Sequence, residues 1–204
     1  MNLPTAKYKT ATAFAGDKML ATGPVDSVIT GVKKMIDDGE HNLILIFDDN
    51  DARPIEFDFR GSKDEVAARL PSINQNTDVS ESLDADETPK GPGRPKLGVV
   101  AREVTLLPRH WEWLSSQPGG ASVVIRKLVE NARLANSSTD KVRSAQEAAY
   151  RFMSAMAGNQ TGFEEATRAL FAGDKQKFEE NISAWPADLR RYSTKLARES
   201  FATS

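Results

Sequence analysis

The chain has 204 residues, enough for one large domain or two small ones. Its apolar fraction of 39% leaves part of it outside any core, and its near-neutral net charge of −2 hides an acidic block followed by a basic one. There is no cysteine, which excludes disulfides, thiolate metal sites and cysteine nucleophiles. The opening MNLPTAKYKTATAFAGDK has no long apolar core, so it is not read as a signal peptide. No stretch approaches the roughly 18 apolar residues of a membrane helix. A soluble protein with no membrane partner is expected.

Residues 8–70 read as a compact α+β unit. Tyr8 to Phe14 alternates loosely, Ala15-Gly16-Asp17-Lys18 is a turn, and Met19 to Thr22 returns as a second strand. Pro24-Val25-Asp26-Ser27 then opens a helix. Val25, Val28, Ile29, Val32 and Ile36 recur at helical spacing, and Gly39 stops it. Asn42 to Phe47 is apolar on both faces, as a central strand would be. Asp48-Asp49-Asn50-Asp51 is a hairpin turn, and Ile55 to Phe59 alternates as the partner strand. Ser62 caps a last short helix through Leu70. The expected order is ββαββα.

Residues 71–101 change character. Asp78, Glu81, Asp84, Asp86 and Glu87 face no base between residues 72 and 88. Too few apolar residues are present to offset the entropy of ordering. An acidic, disordered linker is expected here. From Lys90 to Arg143 the balance reverses, with ten bases against four acids.

Residues 102–136 give a strand, a helix, a Pro-Gly-Gly turn and a second helix; residues 137–204 are a helical C-terminal region. Its stripes are Ala145, Ala148, Ala149, Phe152, Met153, Met156, then Phe163, Ala166, Leu170, Phe171, then Phe178, Ile182, Trp185. Pro186 opens a fourth helix at a first-turn position. The pentapeptide Phe-Ala-Gly-Asp-Lys occurs at 14–18 and at 171–175. It suits a hairpin turn in the first place, and a helix stop followed by an N-cap in the second. The fold class expected is α+β: an N-terminal ββαββα domain over 1–70, a linker, a two-helix unit and a C-terminal helical bundle.

Within the linker, Lys90 and Lys96 flank Gly93-Arg94-Pro95. The segment resembles the AT-hook. The minor groove of A·T-rich DNA is narrow and strongly negative. Pro95 keeps the backbone extended, Gly93 permits close approach, and Arg94 would lie along the groove floor. Lys90 and Lys96 would sit on phosphates. The family's usual basic residue before the glycine is replaced here by Pro92. The plainer reading is a Gly/Pro linker with incidental lysines.

The next stretch, Arg102 to Pro108, then RHWEWL and PGGASVVIRKLVENARL, resembles a ribbon-helix-helix domain. The match rests on Leu107-Pro108, on Trp111 and Leu114 four and seven positions on, and on Gly120-Ala121-Ser122 followed by Val124, Ile125, Arg126, Leu128 and Val129. The resemblance implies an obligate homodimer whose paired strands enter the major groove of double-stranded DNA. It implies DNA contacts at Arg102, Val104, Thr105, Leu106 and Arg109. It also implies a phosphate at the helix start, Ala121 and Ser122. The dimer interface would hold Val104, Leu107, Trp111, Leu114, Ile125, Leu128 and Val129. One strand register turns Arg102, Val104 and Leu106 to DNA; the other turns Glu103 and Thr105. Neither face is a strong base reader, so the unit serves either loose DNA binding or dimerisation alone. His110 is a surface or interface histidine, and Trp111 and Trp113 cannot share one helix face.

The whole chain is also similar to a family of bacterial proteins of unassigned function, through its IFDD turn, its GPGRPKLGVVAREVTLLPRHWEWL block and its WPADLR tail. That likeness implies no activity. An enzyme is not expected. The nucleotide-binding, zinc-protease and serine-hydrolase motifs are absent, and only His41 and His110 are available for acid–base work. The acidic turn at 48–51 lacks the glycine and distal glutamate of a calcium loop. No cofactor or metal is expected. The reading is a cytoplasmic, nucleoid-associated DNA-binding homodimer, a transcriptional regulator or nucleoid protein, with A·T-rich DNA as partner. The alternative is an antitoxin-like interaction protein that docks a partner through 1–70 or 137–204.

Overall fold

The computed structural model describes residues 8–70 and 102–202. Strand β1 (Thr10–Ala15) turns back through Gly16-Asp17 into β2 (Lys18–Pro24), and helix α1 (Val25–Asp37) follows. Strand β3 (Ile44–Asp48) pairs antiparallel with the other side of β1, giving the order β2-β1-β3. Helix α2 (Lys63–Ala68) starts at Ser62, whose side chain accepts from Glu65 N while the Glu65 carboxylate accepts from Ser62 N. This reciprocal cap satisfies two otherwise orphaned donors. Helices α3 (Pro108–Ser116) and α4 (Ala121–Ala135) come next. The chain closes with α5 (Ser137–Met156), α6 (Phe163–Ala172), α7 (Lys175–Asn181), α8 (Ala187–Ala197) and a 3₁₀ turn over Arg198–Phe201. The described chain is thus a mixed α/β protein with one three-stranded antiparallel sheet and eight α-helices.

The described residues fall into two compact units, 8–70 together with 136–202, and 102–135. The layout expected from sequence separates 1–70 from 137–204, but here they share one core. The reason lies in the two-residue period of the sheet. Ala11, Ala13 and Ile46 pack with Val25, Val28, Ile29 and Val32 of α1. Phe14 and Phe47 lie on the other face, among Phe152, Leu170, Phe178 and Tyr192 of the C-terminal helices. Phe152 meets Phe14 and Phe47 at ring-centroid distances of 5.2 Å each, and Tyr192 at 4.6 Å. Each such buried aromatic contributes roughly 1.5–3 kcal/mol by area alone.

Polar contacts fix the same junction. Asp49, in the acidic turn after β3, accepts hydrogen bonds at Oδ1 from Thr12 Oγ1 (2.7 Å) and Tyr192 OH (2.8 Å). Its Oδ2 faces Lys195 Nζ at 3.0 Å. Met19 N donates to Asp188 Oδ2 (2.9 Å), and Arg151 Nη1 donates to the Asp51 carbonyl. Burial pushes the Asp49 carboxyl up, but the donors Thr12, Lys195 and Tyr192 outweigh it and hold it below the ordinary carboxylate range. The Tyr192 phenol is pushed up, first by burial and then by the Asp49 charge, so it stays a donor.

Several expectations are corrected by this arrangement. Strand β3 is not central; β1 is. Residues 55–59 do not form the fourth strand. Only Phe47 and Pro54 bridge, and Ile55 N donates to the Ile46 carbonyl at 2.7 Å before the segment leaves the sheet. At the turn itself, Ala52 takes a left-handed φ of 53° and Ala52 N bonds back to the Asp48 carbonyl. Phe57 and Phe59 then pack on each other, centroids 5.2 Å apart. Phe171 is 51% exposed rather than part of a core stripe. Pro186 is the N-cap of α8, one position before the first helical residue.

The repeated pentapeptide does both expected jobs. Gly16, at φ 57°, makes the β1–β2 hairpin. Gly173, at φ 71°, ends α6, and Asp174 caps α7 by accepting from Lys177 N at 3.1 Å.

Candidate nucleic-acid and dimer interface

Residues 102–107 precede α3 without regular secondary structure and without a strand partner among the described residues. The ribbon strand expected here is therefore not formed within one chain. Leu107 caps α3 in a β conformation and Pro108 occupies its first turn, where a missing N–H costs nothing. Helix α3 ends at Gln117, and Gly119 (φ 91°) and Gly120 (φ 75°) reverse the chain. These left-handed angles suit glycine alone. A Cβ on Gly119 would also stand 3.3 Å from Val123 Cγ1. Val123 N and Val124 N both donate to the Gly120 carbonyl at 3.2 Å, starting α4.

The two-helix unit has almost no interior of its own. Helix α4 contains no buried residue along its fifteen positions. Leu114 is the one buried hydrophobic of the described unit, at 3% exposure. Val104, Leu107, Trp111, Trp113, Leu128, Val129 and Leu134 are all exposed. Ile125 is half-buried. Of the residues expected at a dimer interface, every one except Leu114 and Ile125 is thus exposed in the single chain. Trp111 and Trp113 are both exposed.

Of the expected DNA contacts, Arg102, Val104, Thr105 and Arg109 are exposed around the approach to α3, and Leu106 is half-buried. Ala121 is half-buried and Ser122 exposed at the head of α4. Arg126 is already engaged, its Nε donating to the Ser122 carbonyl at 3.0 Å. Arg133 pairs with Glu130 at 2.7 Å, and that hydrogen bond lowers the Glu130 carboxyl. His110 is exposed. Lys90, Gly93, Arg94, Pro95 and Lys96, the hook-like segment, lie outside the described residues, as does the acidic linker.

A family model described as "Uncharacterized protein conserved in bacteria (DUF2239)" matches residues 10–197. The chain belongs to that family. The match runs through both compact units and includes residues 71–101. No curated protein and no solved structure matches the chain. Among the described residues no helix is long and apolar enough to cross a membrane, and no group of three or more His, Asp or Glu side chains is placed to hold a metal ion.

The cluster of Asp49, Thr12, Tyr192 and Lys195 escaped the sequence reading, which took the acidic turn as a hairpin turn. Its partners lie 37, 143 and 146 positions away, beyond any local pattern. The available signal was Asp49 in a run of acids next to an apolar strand. In the structure it pins the sheet to the C-terminal helices, with contacts on both carboxylate oxygens.

Proposed function

We propose that the chain is a DNA-binding homodimer in which residues 102–135 of two copies complete one another. The observation that carries this is the exposed apolar face: a fifteen-residue helix with no buried residue, beside exposed Leu107, Trp111, Leu128 and Val129. So small a unit cannot bury enough surface alone. A two-fold related copy would cover the face, and residues 102–107 of the two chains would supply each other's missing strand partner. The hook-like segment 90–96 would then bring two minor-groove arms, whose weak contacts gain through effective concentration. Arg94 would read A·T-rich minor groove, Arg102 and Arg109 would hold phosphates, and Ala121 and Ser122 would offer backbone donors to another. Transcriptional regulation or nucleoid association follows from such a binder.

The antitoxin-like alternative keeps the dimer and drops the DNA. It is favoured by the apolar groove-facing positions Val104 and Leu106, which discriminate bases poorly except against thymine methyls. Gel shift on A·T-rich and G·C-rich duplexes separates the two. Wild type is expected to prefer the A·T-rich duplex and Arg94→Ala to lose that preference. No shift of either duplex at low salt would leave the interaction protein.

A further inference from the structure

The C-terminal helices carry a second charged feature, apart from the 102–135 unit. Lys175, Arg191, Lys195 and Arg198 line one concavity of about 490 Å³, with Glu179 the single carboxylate and Phe201 an aromatic wall. That volume lies in the range of small-ligand sites. Arg191 shares Asp188 at 3.1 Å, Lys195 shares Asp49, and Lys175 approaches Glu179 only to 3.7 Å. The exposed Arg198 side chain has no ion pair or hydrogen bond among the described residues.

Like charges one helical turn apart, as at 191, 195 and 198, cost a few tenths of a kcal/mol each. The negative C-terminal end of α8 offsets this for Lys195 and Arg198. It does nothing for Lys175, the first residue of α7, where the helix dipole disfavours a cation. Three of the four share a carboxylate within the fold and Arg198 does not, so the exposed heads gathered around one concavity keep capacity for an anion, which a polyanionic ligand would fill. Phosphoryl oxygens match it best: guanidinium forks bind them in pairs, and lysines serve as point charges. Phe201, half-buried and braced by Phe178 at 5.3 Å, presents a ring for stacking. A concave site favours a small molecule over the convex backbone of a duplex.

We propose that this cavity binds a small phosphorylated molecule, its phosphoryl groups on Lys175, Arg191, Lys195 and Arg198 and a flat ring against Phe201. The proposal is independent of the DNA-binding reading. Calorimetric titration of the full chain at low salt, with ATP, pyrophosphate and an A·T-rich duplex as separate probes, tests it. ATP and pyrophosphate are expected to bind, ATP more tightly. Arg198→Glu and Lys175→Glu, both at exposed side chains and so expected to keep the wild-type melting temperature, should each weaken ATP binding by about tenfold or more. Duplex affinity should not change. No heat with ATP or pyrophosphate, unchanged ATP binding in both variants, or loss confined to the duplex would overturn the proposal.

Discussion

Leu128→Ala should loosen the proposed homodimer. Leu128 lies on α4 and is 49% exposed in the single chain. Full burial of a leucine contributes roughly 1.5–3 kcal/mol, so covering the remaining half contributes about 0.7–1.5 kcal/mol per copy. A two-fold interface uses the same residue twice. Truncation therefore removes about 1.5–3 kcal/mol from dimerisation, a weakening of roughly 10- to 100-fold in Kd. Alanine keeps the Cβ, which places the expected result toward the lower end. Sedimentation equilibrium of the full chain over a wide concentration range measures this directly. Melting of the 8–70/136–202 core serves as control and should not move, because Leu128 does not belong to it. A wild type that stays monomeric at high micromolar concentration, or a variant with an unchanged Kd, would refute the reasoning.

Other outcomes follow from the same structure. Asp49→Ala leaves the Tyr192 hydroxyl, on a side chain 1% exposed, without its acceptor and should cost about 1–3 kcal/mol in chemical denaturation. Asp49 is held below its ordinary pKa, so its contribution is complete above the unfolded value near 4 and is lost as pH falls through the lower folded value. Asp49→Asn should remove that part of the acid sensitivity, seen as a flatter melting temperature below about pH 4. Gly162→Ala should destabilise by about 2 kcal/mol or more in thermal melts, because φ is 81° there and a Cβ would stand 2.8 Å from the Asn181 carbonyl oxygen. Deleting residues 72–88 should tighten DNA binding at low salt if the acidic linker competes for the basic segment; an unchanged titration would exclude that competition.

Much of the fold was legible because local periodicity and local caps carried it. The α1 stripe of Val25, Val28, Ile29 and Val32 is buried as spaced, and Ser62 with Glu65 caps α2. The two Phe-Ala-Gly-Asp-Lys copies were separable by context alone. What the sequence concealed is long-range. Asn42 to Phe47, apolar on both faces, requires two covers, and 8–70 supplies one. The second comes from helices about a hundred residues later, where Phe152 and Tyr192 meet Phe47 and Phe14. Residues 55–59 alternate because Phe57 and Phe59 face inward, yet alternation fixes facing and not pairing. In the 102–135 unit the apolar pattern was legible, and Val104, Leu107, Trp111, Leu128 and Val129 are exposed in the single chain, where no local pattern says what covers them.

The central claim is that two chains act together on a duplex. Analytical ultracentrifugation of the full chain with a labelled A·T-rich duplex, at low and then raised salt, tests it most directly. The account predicts a complex of two chains per duplex that dissociates as salt rises, with a free protein already dimeric. A free monomer, or a duplex that sediments unchanged at the lowest salt, would contradict it.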